Sequence, residues 1–257
     1  MSIQYYEFTD TFTLESGAAL QQLQIGYHTF GWLNAAKSNV VWVCHAFTAN
    51  SDVLDWWKGF VGTGCCIDPE DWYIVCANVL SSPYGTTNPL SINPATQAPY
   101  YLDFPAVSVR DMVKAHQLLA AHLQIAQIAL LIGGSLGGQQ CLEWSVTEPE
   151  RIKQQVLIAT NACHSPWGIA SNESQRLAIS ADATFYNRVP EGGSAGLKAA
   201  RSMALLQYRG YEAYNQTQQD TRDNLMDNYR ASSYQNYQGD KLVKRFNAYS
   251  YWYLSKA

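Results

Sequence analysis

The segment that most constrains this chain runs from Ile128 to Trp144. There the apolar run Ile128-Ala129-Leu130-Leu131-Ile132 meets Gly133-Gly134-Ser135-Leu136-Gly137-Gly138, followed by Gln139-Gln140-Cys141-Leu142-Glu143-Trp144. A strand-length apolar stretch, a glycine-rich turn and a helix-forming stretch in that order match the G-x-S-x-G nucleophile elbow. The pattern has a steric reason. On a sharp strand-to-helix turn, side chains two residues either side of the serine would collide with neighbouring backbone. Glycines at 133 and 137 remove both collisions and leave the Ser135 hydroxyl exposed above the sheet. The helix that follows aims its positive end at the site, which favours developing negative charge. A phosphate loop fits poorly, because no lysine follows the glycines.

The surrounding pattern predicts a parallel sheet. Gln22–Phe30 alternates apolar and polar residues up to Gly31, as a half-buried strand does. Val40–Cys44 and Trp72–Ala77 are continuous apolar runs suited to strands buried on both faces, and Gln155–Ala159 reads the same way. A long Ser-, Pro-, Gly- and Asn-rich loop covers Leu80–Phe104, a length that is uncommon without a functional role. Val109, Met112, Val113, His116, Leu119 and Leu123 share one helical face, with Pro105 placed where a first turn tolerates it. Strands and helices alternating at these intervals imply right-handed crossovers. After about Ser165 the strand-like runs stop, and helical patches such as Leu197–Gln207 and Leu242–Leu254 appear. Two regions are therefore expected: an α/β core over 1–164 and a helical lid over 165–257.

Composition narrows the function classes. The 257 residues are 47 % apolar and 13 % aromatic, enough for a large core. With 17 Lys and Arg against 21 Asp and Glu, the formal charge is −4, and no basic cluster invites nucleic acid or a membrane surface. The N-terminal residues lack the charged and apolar regions of a signal peptide, and the longest apolar runs are too short to span a bilayer. None of the six cysteines forms a Cys-x-x-Cys pair, and the five histidines show no ligand spacing. No metal site and a reducing cytoplasm are expected, with Cys44, Cys76 and Cys141 packed in the core.

A second feature is Cys44-His45-Ala46-Phe47-Thr48 at the end of a buried strand. On such a fold one oxyanion-hole N–H comes from this loop and the other from the residue after the nucleophile, which points to Phe47 and Leu136. His45 precedes the nucleophile, whereas the catalytic order is Ser, acid, His, so a structural role is expected of it.

With these blocks the chain resembles the homoserine O-acetyltransferase family of α/β-hydrolase-fold acyltransferases. The resemblance rests on His45-Ala46-Phe47-Thr48, Ser91-Ile92-Asn93-Pro94-Ala95-Thr96, Leu102-Asp103-Phe104-Pro105, Val109-Arg110-Asp111-Met112-Val113, the Gly133–Gly138 turn with Leu142-Glu143-Trp144, and His164-Ser165-Pro166-Trp167-Gly168-Ile169-Ala170. It continues through Phe246-Asn247-Ala248-Tyr249-Ser250-Tyr251-Trp252-Tyr253-Leu254. It implies a mostly parallel sheet with helices on both faces and a helical lid. It also implies a ping-pong reaction that passes an acetyl group from acetyl-CoA, a co-substrate with no bound cofactor needed, through Ser135 to L-homoserine for methionine synthesis. Arg201 matches the family arginine that holds the substrate carboxylate, and Tyr208 matches a tyrosine of the same pocket. A surface ion pair is the plainer reading of Arg201, and Arg209 is its rival in register. Homodimers pairing through the lid, and no nucleic-acid or membrane partner, are further implications.

The departures from the family pattern are Ser81-Ser82-Pro83, where glycines and a cysteine are usual, and Asn88, where glycine is usual. They leave room for a sibling enzyme using succinyl-CoA or accepting serine. The sequence also ends before the last strands of such a core and before a triad acid and histidine. A polypeptide of only these residues is expected to be inactive and poorly soluble, with an exposed apolar edge at Gln155–Ala159. The reading from another class is a non-catalytic remnant that serves only for association.

Overall fold

In the computed structural model, which describes residues 2–221 and 224–257, the chain begins with β1 (Gln4–Phe8), β2 (Phe12–Thr13), β3 (Ala19–Leu20) and β4 (Leu23–Phe30). Then come β5 (Val40–Cys44), α1 (Val53–Trp56), β6 (Tyr73–Ala77), the short pair β7 (Ile92–Asn93) and β8 (Ala98–Pro99), and α2 (Val109–His122). The strand β9 (Leu130–Gly134), helix α3 (Leu136–Thr147) and strand β10 (Gln155–Ile158) follow. These belong to one unit, Met1–Cys163 together with Lys256–Ala257.

Its six-stranded sheet has the order β1-β4-β6-β5-β9-β10. The four strands from β6 to β10 pair in parallel, while β4 and β1 add antiparallel strands at one side. The inner strands are buried on both faces, as continuous β-branched runs require. From β5, Val41 and Val43 join Phe30, Ile74, Cys76 and Ile132 in one cluster. On the other face Trp42 meets Trp144 edge-on and His116 at an angle.

Two local readings are corrected. Strand β9 starts and ends two residues later than its apolar run, because Gly133 and Gly134 still pair with Leu157 and Ile158, so the turn begins at Ser135 itself. Pro105 lies outside α2; Ser108 caps it, its side chain and Asp111 forming a reciprocal capping box. Strand β1, over residues for which the sequence pattern gives no strand expectation, pairs antiparallel with β4. At the opposite side β10 is an edge, with Val156, Leu157 and Ile158 40 %, 37 % and 40 % exposed.

The second unit, His164–Ser255, is helical. It contains α4 (Pro166–Ala181), α5 (Ser194–Tyr208), α6 (Tyr211–Gln218), α7 (Arg230–Val243) and α8 (Ala248–Leu254). The patch read over Leu242–Leu254 is two helices. Asn247 leaves helical geometry and its side chain accepts from the Ser250 N–H, capping a new helix. Ser165 and Pro166 open α4 as cap and first residue. Among the described residues no helix is long and apolar enough to cross a membrane.

Candidate active site

The tight bend forms because β9 runs straight into α3. Ser135 sits between them with φ 55° and ψ −124°, in the positive-φ region that non-glycine residues rarely occupy. Backbone bonds hold it there. Its N–H donates to the Ile158 carbonyl at 3.0 Å, and its carbonyl accepts from the Gly138 N–H at 2.9 Å and the Thr160 hydroxyl at 2.8 Å. The glycines answer the steric demand read from the motif. A Cβ on Gly133 would fall on the Gly137 carbonyl oxygen, and one on Gly137 on the Cys44 carbonyl oxygen. Ser135 is exposed, and its hydroxyl bonds to no protein group among the described residues. Leu136 starts α3 and its N–H, lacking a turn before it, has no protein acceptor there either.

The second element of the site is the loop after β5. Parallel pairing sets Cys44 opposite Gly133, so residues 45–48 leave the sheet beside the bend. His45 is fully buried. Its Nδ1–H donates to the Ala46 carbonyl at 2.8 Å, and its Nε2 accepts from the Val79 N–H at 3.1 Å. Both ring nitrogens are thereby committed to one neutral tautomer, and burial pushes the pKa down from 6.5 to about 4. His45 thus serves the loop's structure.

Gln140, one turn into α3, ties the two elements together. Its Nε2 donates to the Leu136 carbonyl at 3.1 Å and to the His45 carbonyl at 3.4 Å, while Oε1 accepts from His116 Nε2–H at 3.1 Å. A flipped amide would set oxygen against two carbonyls, so the chemistry fixes its orientation. His116 is also buried and neutral, its pKa lowered to about 4 chiefly by desolvation. Sequence reasoning assigned no role to Gln140. Its position five residues after Ser135, on the inward face of α3, was the only available signal.

The segment after β6 carries the departures from the family pattern. Ser81 has φ 78°, a conformation glycine takes freely and other residues take at a cost of about 1 kcal/mol. The hydroxyls of Ser81 and Ser82 are buried without a hydrogen-bond partner. A cavity of about 250 Å³ opens nearby, lined among others by Asn50, Asp52, Asn78 and Tyr84.

In the helical unit Arg201 lies on α5. Its Nε is buried and unpartnered, it forms no ion pair among the described residues, and its guanidinium carbon stands 5.8 Å from the Tyr208 ring centre. Tyr208 itself is 58 % exposed. Arg209 is occupied elsewhere, donating to the Tyr234 hydroxyl at 2.7 Å and lying over that ring. Among the described residues no three His, Cys, Asp or Glu side chains gather into a metal-binding group.

Comparison with known proteins adds an independent line. The family model described as alpha/beta hydrolase fold matches residues 39–253. The homoserine O-acetyltransferase of Cyclobacterium marinum is 44 % identical over 257 residues, covering all of this chain and 73 % of its own length. That of Chlorobaculum tepidum is 44 % identical over 259 residues, covering 99 % of this chain and 72 % of its own. Among solved structures, a homoserine O-acetyltransferase from Bacillus anthracis superposes with a TM-score of 0.87 at 25 % identity, over all of this chain and 76 % of the other. The esterase E22 does so with a TM-score of 0.88 at 25 % identity, over all of this chain and 77 % of the other.

Proposed function

The chain belongs to the homoserine O-acetyltransferase family of the α/β-hydrolase fold, and from that premise we propose a two-stage acetyl transfer through Ser135. The Ser135 oxygen attacks the thioester carbonyl of the co-substrate acetyl-CoA. The tetrahedral oxyanion draws hydrogen bonds from the backbone N–H groups of Phe47 and Leu136, each worth about 3 kcal/mol at the transition state. Collapse expels the CoA thiolate, which takes up a proton, and leaves acetyl-Ser135. The hydroxyl of L-homoserine then attacks the same carbonyl, passes through a second oxyanion, and departs as O-acetyl-L-homoserine, a precursor of methionine.

The helical unit contributes substrate recognition. The Arg201 guanidinium offers a planar fork to the homoserine carboxylate, with Tyr208 beside it. A serine hydroxyl also needs a base. The rings of His45 and His116 are buried, neutral and bonded elsewhere, so neither supplies it. In this fold the acid and the histidine follow the nucleophile in the chain.

One observation carries the reading: an exposed, unbonded serine hydroxyl at positive φ, immediately before an α3 N–H that has no acceptor. A sibling activity is the second reading, favoured by the buried, unpartnered hydroxyls of Ser81 and Ser82 in the segment where glycines and a cysteine are usual in the family. Acetyl-CoA and succinyl-CoA, each with L-homoserine and L-serine, separate the readings by kcat/KM, and mass spectrometry locates the acyl group. Acetyl on the Ser135 peptide with homoserine preferred supports the proposal; succinyl or serine preference supports the sibling; acylation elsewhere refutes both. Acetyl-CoA and a free amino acid as substrates put the protein in the cytoplasm under this reading. A homodimer through the helical unit accounts for its exposed Trp167, Ile169, Leu177 and Leu206, and sedimentation tests it.

A further inference from the structure

We propose that His45 is a positioning residue that aims the Phe47 N–H, by holding the carbonyl at the other side of the same peptide unit. This rests on the reading of Phe47 as an oxyanion donor. The Ala46 carbonyl and the Phe47 N–H belong to one planar group, and the chain contains no cis peptide among the described residues. In a trans peptide the two point in opposite directions. Fixing the carbonyl therefore fixes where the N–H points. A loop peptide without that hold can turn over at little cost, and a turned peptide would present a carbonyl oxygen to the oxyanion.

The imidazole suits this task because it is anchored from both sides. Its Nδ1–H reaches the Ala46 carbonyl at 2.8 Å, and its Nε2 receives the Val79 N–H at 3.1 Å from the segment following β6. The residue's own carbonyl is held at 3.4 Å by Gln140, which at 3.1 Å also holds the carbonyl of Leu136, the other donor residue. Gln140 thus ties the loop after β5 to the first turn of α3. The Ala46 carbonyl accepts as well from the Ala49 N–H at 3.0 Å, closing a turn. That turn is the competing explanation, and the experiment separates the two.

The test compares His45→Leu, which lacks both ring nitrogens, with His45→Asn, whose amide N–H can stand where Nδ1–H does. Residual dipolar couplings of the Phe47 amide give the direction of its N–H whatever the turnover. The expected result is a reorientation of tens of degrees in His45→Leu and recovery in His45→Asn. An unchanged direction in His45→Leu overturns the proposal and leaves the turn as the sole hold. In acyl-transfer-competent protein, kcat should fall about 10²-fold in His45→Leu with KM for both substrates little changed, and largely recover in His45→Asn. A fall in KM-limited rates alone, or no recovery, counts against it. Should His45→Leu fail to fold, the ring nitrogen shifts of the wild-type protein still decide, since an Nε2–H tautomer at His45 is incompatible with the mechanism. Failure of the acyl-transfer reading appears instead as absent acylation of Ser135 in wild-type protein whose Phe47 N–H still depends on His45.

Discussion

The two side chains that brace the Ser135 bend, His45 and Gln140, have a partner on every polar atom, whereas on α5 Arg201 keeps a buried nitrogen open. At the bend, Gln140 uses both amide hydrogens and its oxygen, and His45 uses both ring nitrogens. On α5, the buried Nε of Arg201 has no acceptor, and in the same unit Gln235 and Ser250 each keep a buried side-chain oxygen without a partner. The contrast follows from what each region is proposed to do. A covalent centre gains from donors already aimed when charge develops, so its supports are saturated. A recognition site must keep bonds in reserve for its ligand, and it bears the cost of an unsatisfied group until the ligand arrives.

The sharpest way to break the comparison is at its first member. Ser135→Ala should abolish acetyl transfer, by about 10⁶-fold, while leaving the thermal midpoint near the wild-type value; a residual rate within tenfold would remove Ser135 from the chemistry. Next, Arg201→Met should raise KM for homoserine by about 10²-fold, the scale of a lost charge-assisted fork, with no loss of stability. If the variant instead unfolds at lower temperature with unchanged KM, the arginine is a structural residue.

The buried histidines of the core unit also make an acid-sensitive prediction. His45 and His116 stay neutral in the folded protein down to about pH 4, whereas unfolded histidines take up a proton near 6.5. Their contribution is therefore fully present above pH 6.5 and lost as pH falls from there towards 4, by roughly 3 kcal/mol each. Denaturant midpoints measured across that window should drop, and Gln140→Met, which strips the His116 Nε2–H of its acceptor, should lower the whole curve. A flat profile would mean that the rings are more open to water than their burial indicates. The smallest effect belongs to the sheet edge. Leu157→Lys on β10 should change stability by no more than about 1 kcal/mol while raising the concentration at which the protein stays monodisperse. Unchanged aggregation would show that this edge is not the exposed liability.

Much of the nucleophile region could be read in advance because its determinants are local. The apolar run, the glycines two residues either side of Ser135 and the helix-forming tail lie within about seventeen residues, and the bend follows from collisions among near neighbours. The inner strands were legible for a related reason: burial on both faces demands continuous apolar residues, as in Val40–Cys44. The boundaries of β9 were not, since Gly133 and Gly134 are strand residues only because Leu157 and Ile158 pair with them. Nor was the break at Asn247, where a helical pattern hides a cap.

By itself, then, the order of residues determined the α/β architecture, the elbow and the identity of Ser135 as its apex. Only tertiary structure decided what His45 is bonded to, because Val79 lies 34 positions further along the chain. It likewise decided that Ser81 takes a conformation natural to glycine and that Arg201 rather than Arg209 keeps its nitrogen unpaired. Sterics and hydrophobic pattern act between near neighbours and are written in the sequence. Hydrogen-bond saturation depends on which distant groups arrive, and that is settled only when the chain has folded.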